Sequence, residues 1–221
     1  RAIVDHQRHR GPDAQWVIET GAGALGADRL RIVDLSDEAD RPLVGARGTR
    51  LSFNGEVYNH AALRREIGSS HPWRTRSDTE VLLAAYERWG IDALHRLIGM
   101  FAVVFWEPDR RRAVAARDRF GVKPLYYHHG SDGTLLVASE VGALLAAGVT
   151  PRPDAATWAS YLVAGHHEPP GSTFWSGIEQ VPAGHLLEWD DGRVTVRRWY
   201  DLTREVGERD DERPEAAVLA E

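Results

Sequence analysis

The sequence contains no cysteine among its 221 residues. Disulfide scaffolds, zinc–thiolate sites and thiol nucleophiles all need cysteine, so each of them is excluded within these residues. A globular chain of this length buries about 70 % of the surface that its unfolded form exposes. We therefore expect a chain that folds without cross-links or a structural metal.

Long apolar runs are also missing. No segment approaches the roughly 18 consecutive apolar residues of a membrane-spanning helix. The first residues, Arg1 to Asp5, form no apolar signal core. These two absences predict a soluble, cytoplasmic protein that makes no membrane contact.

An excess of basic residues is the third absence. Lysine and arginine number 27 against 33 aspartates and glutamates, which gives a net charge of −6. Proteins that bind nucleic acid usually present a basic stripe, so no nucleic-acid partner is expected. Lys123 is the only lysine, and coding bias in a GC-rich genome is sufficient to explain the preference for arginine.

Several catalytic and metal-binding motifs are absent as well. There is no G-x-x-x-x-G-K-[ST] phosphate loop and no G-x-S-x-G nucleophile elbow. The pairs His128-His129 and His166-His167 lack the i, i+4 spacing and the glutamate of a zinc helix. We interpret these histidines as surface or loop residues and predict no metal site.

The pattern that is present predicts an α+β protein without internal repeats. Ser77 and Glu80 form a capping box before a strongly apolar helix, and Asn59 precedes another helix that runs through Glu66. Further helices are predicted to end within 1–10 and to span 91–97, 141–147 and 155–163. Strands are predicted at 16–20, 29–33, 50–53, 101–106, 112–116, 125–128, 135–138, 186–189 and 194–198.

The composition changes near the C-terminus. Residues 204–221 contain seven acidic residues and three arginines, and Pro214 precedes an unfinished helical pattern. We interpret 1–203 as one domain and 204–221 as an acidic linker towards a second, absent domain. Because the chain also starts without methionine, truncation at both ends is expected.

Short motifs spread over residues 8–200 are specific as a set, although each is weak alone. In that order and spacing they resemble the class II glutamine amidotransferase domain of the asparagine synthetase family. The matching segments are His9–Asp13, Arg29-Leu30, Phe53–Asn59, Ser77–Val81, Gly99–Trp106, Arg117–Tyr127, Ala138–Glu140 and Val181–His185. The resemblance implies an N-terminal-nucleophile hydrolase fold: a four-layer αββα sandwich with two β-sheets between helix layers.

By this resemblance, Asn54 and Gly55 form an oxyanion hole for the hydrolysis of glutamine's side-chain amide. An amide NH₂ and a close backbone N–H suit a tetrahedral oxyanion, and one such donor is worth roughly 3–4 kcal/mol. The alternative for the same two residues is a simple Asn-Gly hairpin turn.

The resemblance also implies residues that bind the two charged groups of free glutamine. Arg29 binds the α-carboxylate through its guanidinium fork. Asp78 binds the α-ammonium with help from Glu56, and Arg10 lies near the nucleophile. The alternatives are a surface cation for Arg29, a first-turn helix carboxylate for Asp78 and a helix C-terminal cation for Arg10.

The sequence differs from the family pattern in three places. The family's nucleophile is a cysteine at the first position of the mature chain, with its own α-amine as base, and these residues contain none. Ala27 and Arg31 replace the histidine and the small residue that flank the substrate arginine. No S-G-G-x-D-S loop occurs, so ATP and Mg are implied only for the absent synthetase domain and no cofactor for this chain.

The first functional hypothesis is therefore the glutaminase domain of an asparagine synthetase-like enzyme, inactive alone because it has no thiol. In the whole enzyme it releases ammonia for ATP-dependent amidation of aspartate. The partners are then glutamine and a synthetase domain or partner chain, and the family often forms homodimers.

The second hypothesis is a non-catalytic scaffold from a relative that builds β-lactams or lasso peptides. An aminosugar synthase fits less well, because Arg119–Pro124 resembles the asparagine synthetase branch.

Overall fold

The computed structural model describes residues 1–166 and 171–206 and contains helices and antiparallel strands in similar measure. Its helices are α1 (Ala2–His6), α2 (His60–Ile67), α3 (Asp78–Trp89), α4 (Ala93–Arg96), α5 (Val141–Ala146), α6 (Ala155–Ala164) and α7 (Leu202–Val206). Its strands are β1 (Ala14–Glu19), β2 (Ala24–Arg29), β3 (Arg50–Val57), β4 (Gly99–Glu107), β5 (Arg112–Arg117), β6 (Tyr126–His129), β7 (Leu135–Ala138), β8 (Glu179–Gln180), β9 (His185–Asp190) and β10 (Arg193–Arg198).

The strands form two sheets and a hairpin. The first sheet has five antiparallel strands in the order β10-β9-β5-β4-β3, so β3 lies at one edge. The second has three strands in the order β7-β6-β8, and β1 pairs with β2 as a separate hairpin. Ser52 on β3 joins this hairpin to the first sheet by donating from Oγ to the Gly26 carbonyl at 2.7 Å.

Alternation of side chains along β4 separates two cores. Phe101, Val103 and Phe105 are buried on the face that packs against α2 and α3. Ala102 and Val104 occupy the opposite face and pack against the second sheet. Because successive side chains of a strand point to opposite faces, one strand contributes to both hydrophobic layers.

The second sheet repeats this division. Tyr127 on β6 is packed between the two sheets, whereas Tyr126 packs on the other side with Ala138 and with Leu144 of α5. Ile3 of α1 joins the same outer cluster. The layers therefore run α2–α3, five-stranded sheet, three-stranded sheet, α1–α5. This order confirms the predicted αββα sandwich.

The predicted elements are largely confirmed, but the strand predicted at 29–33 is wrong. β2 runs from Ala24 to Arg29, because the Gly21–Gly23 turn places Ala24 opposite Glu19. The partner strand begins at Ala14, opposite Arg29, so pairing ends there and residues 30–33 continue as a loop.

Two local interpretations change at β3 and α2. The strand continues through Asn54 and Gly55, which pair with Ala102 and Phe101, so the Asn-Gly hairpin turn is wrong. Asn59 begins α2 without capping it: its side chain instead donates to the Arg96 carbonyl and accepts from the Ile98 N–H, both at 2.9 Å.

The capping box at α3 forms on one side. The Ser77 hydroxyl accepts from the Glu80 N–H at 3.2 Å. The Glu80 carboxylate turns to the backbone of Arg74 and Thr75 instead of Ser77.

The C-terminal predictions fall partly beyond the described residues. α7 crosses the expected boundary at residue 204, and residues 207–221 of the expected linker lie outside the described ranges. Of the predicted surface histidines, His129 and His166 are exposed, His128 is half-buried, and His167 lies outside the described ranges. None of the helices described is long and apolar enough to cross a membrane.

Between the sheets, the small residues Ala102 and Ala115 lie among larger ones such as Leu125, Tyr127 and Leu187. This closely packed layer should tolerate added volume poorly. We expect Ala115→Leu to lower the free energy of unfolding by about 1–3 kcal/mol, because Ala115 is fully buried between the sheets and an extra isobutyl group overpacks it. Urea denaturation measures this. Ala24→Leu, at an exposed strand end, is the control and should change stability little; equal effects of the two would contradict the layer assignment.

Candidate functional site

A cavity of about 260 Å³ opens at the edge of β3. Its wall combines β2 and the loop that follows it, β3, the first turn of α3 and the loop before β6. All six residues predicted for glutamine hydrolysis and binding line this one cavity: Arg10, Arg29, Asn54, Gly55, Glu56 and Asp78. The fold therefore brings together residues that are up to 68 positions apart in the sequence.

The backbone N–H of Gly55 points away from the sheet. Phe101, opposite Gly55, directs both of its backbone groups towards Asp118: its carbonyl accepts from the Asp118 N–H at 2.8 Å and its N–H donates to the Asp118 carboxylate at 3.2 Å. Gly55 and Phe101 are thus a non-hydrogen-bonded antiparallel pair. Since β3 is an edge strand, the Gly55 N–H is available to a ligand in the cavity.

Asn54 supplies the second donor of this corner. Its Nδ2 donates to the Ser139 hydroxyl at 3.3 Å. An amide nitrogen carries two N–H groups, so one remains for a ligand. Gly55 must be glycine here, because a Cβ would lie 2.2 Å from the Met100 carbonyl oxygen. The arrangement suits the stabilisation of an oxyanion.

Asp78 is held rigidly at the first turn of α3. Its carboxylate accepts from the Val57 N–H at 2.9 Å, and the residue is buried. Burial raises the pKa of this carboxyl above its ordinary value, and the nearby Glu56 carboxylate raises the pKa further. The hydrogen bonds from Val57 and Thr79 act in the opposite direction. A cationic ligand beside Asp78 and Glu56 would relieve this unfavourable negative charge.

Arg29 does not present an open fork to the cavity. Its Nη1 donates to Asp40 at 2.7 Å, and its Nη2 donates to the carbonyls of Val33 at 3.0 Å and Asp34 at 2.5 Å. The guanidinium therefore holds the loop that follows β2. Two of its five N–H groups remain for a ligand, because three are used in these bonds.

Arg31, one of the departures from the family pattern, is absent from the cavity wall. Its guanidinium contacts both Asp37, at 2.7 Å, and Asp40. Asp40 thus bridges Arg29 and Arg31, and the two arginines hold the pKa of its carboxyl below the usual range. Ala27, the other departure, does line the cavity.

Arg10 links the first cavity to a second one of about 130 Å³ between β2 and the second sheet. It donates to Glu140 at 3.1 Å, and His9 contacts the same carboxylate at 2.9 Å. Ser139 also lines the second cavity and is fixed by its N–H, which donates to the Gln7 side chain at 3.1 Å. Contacts from the first ten residues therefore position the partner of Asn54.

Sequence reasoning missed the roles of several residues at this site. Ser139 and Lys123 lie in motifs that carried the resemblance, but no role was assigned to them. Asp40 has no sequence signal beyond the acidic cluster around it. Asp28 lines both cavities and its Oδ2 is buried without a hydrogen-bond partner, while burial raises the pKa of the carboxyl. Among the described residues, no three acidic or histidine side chains converge on a metal site.

These features define a cavity on an αββα sandwich, with N–H donors of Asn54 and Gly55 beside a strand edge and the carboxyl groups of Glu56 and Asp78 in the same wall. The chain belongs to the glutamine amidotransferase domain family, whose model matches residues 1–200. Within that family, it is 36 % identical over 185 residues to the glutamine-hydrolysing asparagine synthetase B of Escherichia coli, covering 83 % of this chain and 31 % of that enzyme. It is 34 % identical over 202 residues to amidase chyE of Penicillium rubens, covering 90 % and 29 % respectively.

A solved structure supports the fold. Glutamine phosphoribosylpyrophosphate amidotransferase from Bacillus subtilis matches 80 % of this chain and 35 % of its own, with a TM-score of 0.59 and 22 % identity. The chain thus spans about a third of the length of these proteins. The solved amidotransferase structure shares the fold of this chain.

The buried Asp78 carboxylate should reduce stability at neutral pH. Below its ordinary pKa of 3.8 the group is protonated in both states and contributes nothing. As the pH rises above 3.8, the unfolded carboxyl ionises first, so stability falls until the raised folded-state pKa is passed.

We expect Asp78→Asn to raise the urea midpoint at about pH 7 and to change it little at about pH 3, because asparagine keeps an acceptor for the Val57 N–H. Denaturation at the two pH values measures this. A midpoint that falls at pH 7 would show that the ionised carboxylate stabilises the fold.

Proposed function

We propose that this chain is the glutamine-binding domain of an asparagine synthetase-like enzyme and that glutamine occupies the cavity at the edge of β3. The observation that carries this proposal is the convergence of all six predicted residues on one cavity. In the whole enzyme, ammonia released here would serve an ATP-dependent amidation of aspartate. ATP and Mg would bind outside these residues, in the synthetase part of the protein.

Different cavity residues would bind the two ends of glutamine. Asn54 Nδ2 and the Gly55 N–H would hold the side-chain amide oxygen and the oxyanion that forms from it. Asp78 and Glu56 would hold the α-ammonium at the other end. Arg29 would fix the loop over the α-carboxylate and offer its two remaining N–H groups to it.

Amide hydrolysis needs a nucleophile beside the oxyanion donors. The 221 residues contain no cysteine, so a thiol next to Asn54 would have to come from outside them. Arg10 borders the second cavity, which adjoins Asn54, and its guanidinium would favour the anionic form of a nucleophile there. We therefore propose that the 221-residue chain binds glutamine but does not hydrolyse it.

The lack of cysteine also favours a second candidate, a non-catalytic scaffold that supports an amide-forming domain or partner chain. The two candidates differ in what they require of the cavity. A scaffold needs no ligand there, whereas a domain of a working glutaminase must recognise glutamine. The retained Asn54, Gly55 and Asp78, held in defined geometry, support the first candidate.

Calorimetric titration with L-glutamine tests the proposal. We expect the 221-residue chain to bind L-glutamine, to bind D-glutamine more weakly and to release no glutamate on prolonged incubation. We expect Asp78→Asn to weaken the affinity about 10- to 100-fold, because it removes a charge-assisted bond to the ammonium.

Asp92→Asn is the matched control for Asp78→Asn. Asp92, exposed at the start of α4, is also a carboxylate at a helix N-terminus but lies outside the cavity, so Asp92→Asn should leave the affinity unchanged. Lack of glutamine binding by a folded chain would favour the scaffold. Steady glutamate release would show that hydrolysis does not require a thiol in this chain.

A further inference from the structure

Four cations line the first cavity, and three of them already pair with a carboxylate. Arg10 pairs with Glu140 at 3.1 Å, Arg29 with Asp40 at 2.7 Å and Arg41 with Glu38 at 3.3 Å. Lys123 is the fourth. Within residues 1–166 and 171–206, its ammonium forms no ion pair or hydrogen bond with the protein.

The backbone of Lys123 is held from both sides by buried charges. The Asp118 carboxylate, in a residue that is only 1 % exposed, accepts from the Lys123 N–H at 2.9 Å and also binds the N–H groups of Phe120 and Val122. The buried Arg117 donates to the Lys123 carbonyl at 2.8 Å. Burying charges is costly unless they are fully hydrogen-bonded. Here the hydrogen bonds of Asp118 and Arg117 fix the backbone position from which the Lys123 side chain extends.

The identity of the residue is a second indication. Lys123 is the only lysine among 27 basic residues. An ammonium is a compact point charge on a flexible stem, whereas a guanidinium is a broad, planar fork. The single exception to the use of arginine thus lies in the wall of the cavity, where a compact cation fits beside a small ligand.

We propose that Lys123 binds the α-carboxylate of the amino acid that occupies the cavity. This inference rests on the proposed binding of glutamine and adds a residue that the family resemblance does not assign. The cavity wall carries three carboxylates, Asp28, Glu56 and Asp78, which suit the α-ammonium. Lys123 supplies the unpaired positive charge that a zwitterion also requires, while Asp40 neutralises Arg29.

A single lysine permits a direct measurement on the unsubstituted chain. Reductive methylation with ¹³C-formaldehyde labels Lys123 and the N-terminal amine and keeps the positive charge of both. We expect L-glutamine to shift the Lys123 methyl resonance in a saturable titration. L-Glutaminamide, in which a neutral amide replaces the α-carboxylate, should bind more weakly and leave this resonance in place.

Calorimetric titration of variants measures how much Lys123 contributes to the affinity. Lys123→Met should weaken L-glutamine binding about 10- to 100-fold and leave L-glutaminamide binding unchanged. Lys123→Arg restores the charge but not the compact ammonium, so it should recover part of the affinity. Arg65→Met removes an exposed cation of α2 that lines neither cavity and is the control, with an expected change within about twofold.

The outcomes separate this inference from the function on which it rests. If the chain binds glutamine and Lys123→Met binds it equally well, or weakens both ligands alike, the role of Lys123 is wrong and the proposed function stands. If the unsubstituted chain binds no glutamine, the proposed function fails and this inference fails with it.

Discussion

The register between β3 and β4 is the constraint on which the site depends. Asp118 takes both backbone groups of Phe101, one through its own N–H and one through its carboxylate. Phe101 therefore forms no backbone hydrogen bond with Gly55, and the Gly55 N–H faces the open side of an edge strand. A shift of one residue would reverse the face of every side chain and turn this donor back into the sheet. The availability of one N–H thus follows from a buried aspartate two strands away.

The cavity is organised at a cost to the fold. Asp78 is buried beside Glu56, which raises the pKa of its carboxyl, and Asp28 carries a buried oxygen without a partner among the described residues. Neither arrangement is what a sequence selected only for stability would keep, since an apolar or amide side chain would avoid the desolvation of charge. Such costs concentrate where a protein binds or reacts. In contrast, Asp118 is buried with four backbone donors, which makes it a structural carboxylate.

Much of this architecture could be predicted from the sequence because it is local. The unbroken apolar run of β4 and the capping serine of α3 are encoded within a few residues of where they act. The grouping of Asn54, Gly55, Arg29 and Asp78 came only from the order of the motifs, because no local rule brings them together. Asp40 could not be foreseen as the partner of Arg29, since that pairing depends on how an irregular loop of eleven residues folds back. The end of β2 at Arg29 likewise depends on where its partner strand begins.

The loop of residues 118–123 has a consequence for sequence variation. The side chains of Asp118 and Arg117 fix its shape by hydrogen bonds to backbone atoms on the inner side of the loop. The side chains of Phe120 and Val122 point outwards and are 68 % and 58 % exposed. Apart from an edge-on contact between the Phe120 and Tyr200 rings, these side chains take no part in the bonds that shape the loop. This surface can therefore vary while Lys123 keeps its place in the cavity wall. A new neighbour can be accommodated on the outside without any change to the chemistry on the inside.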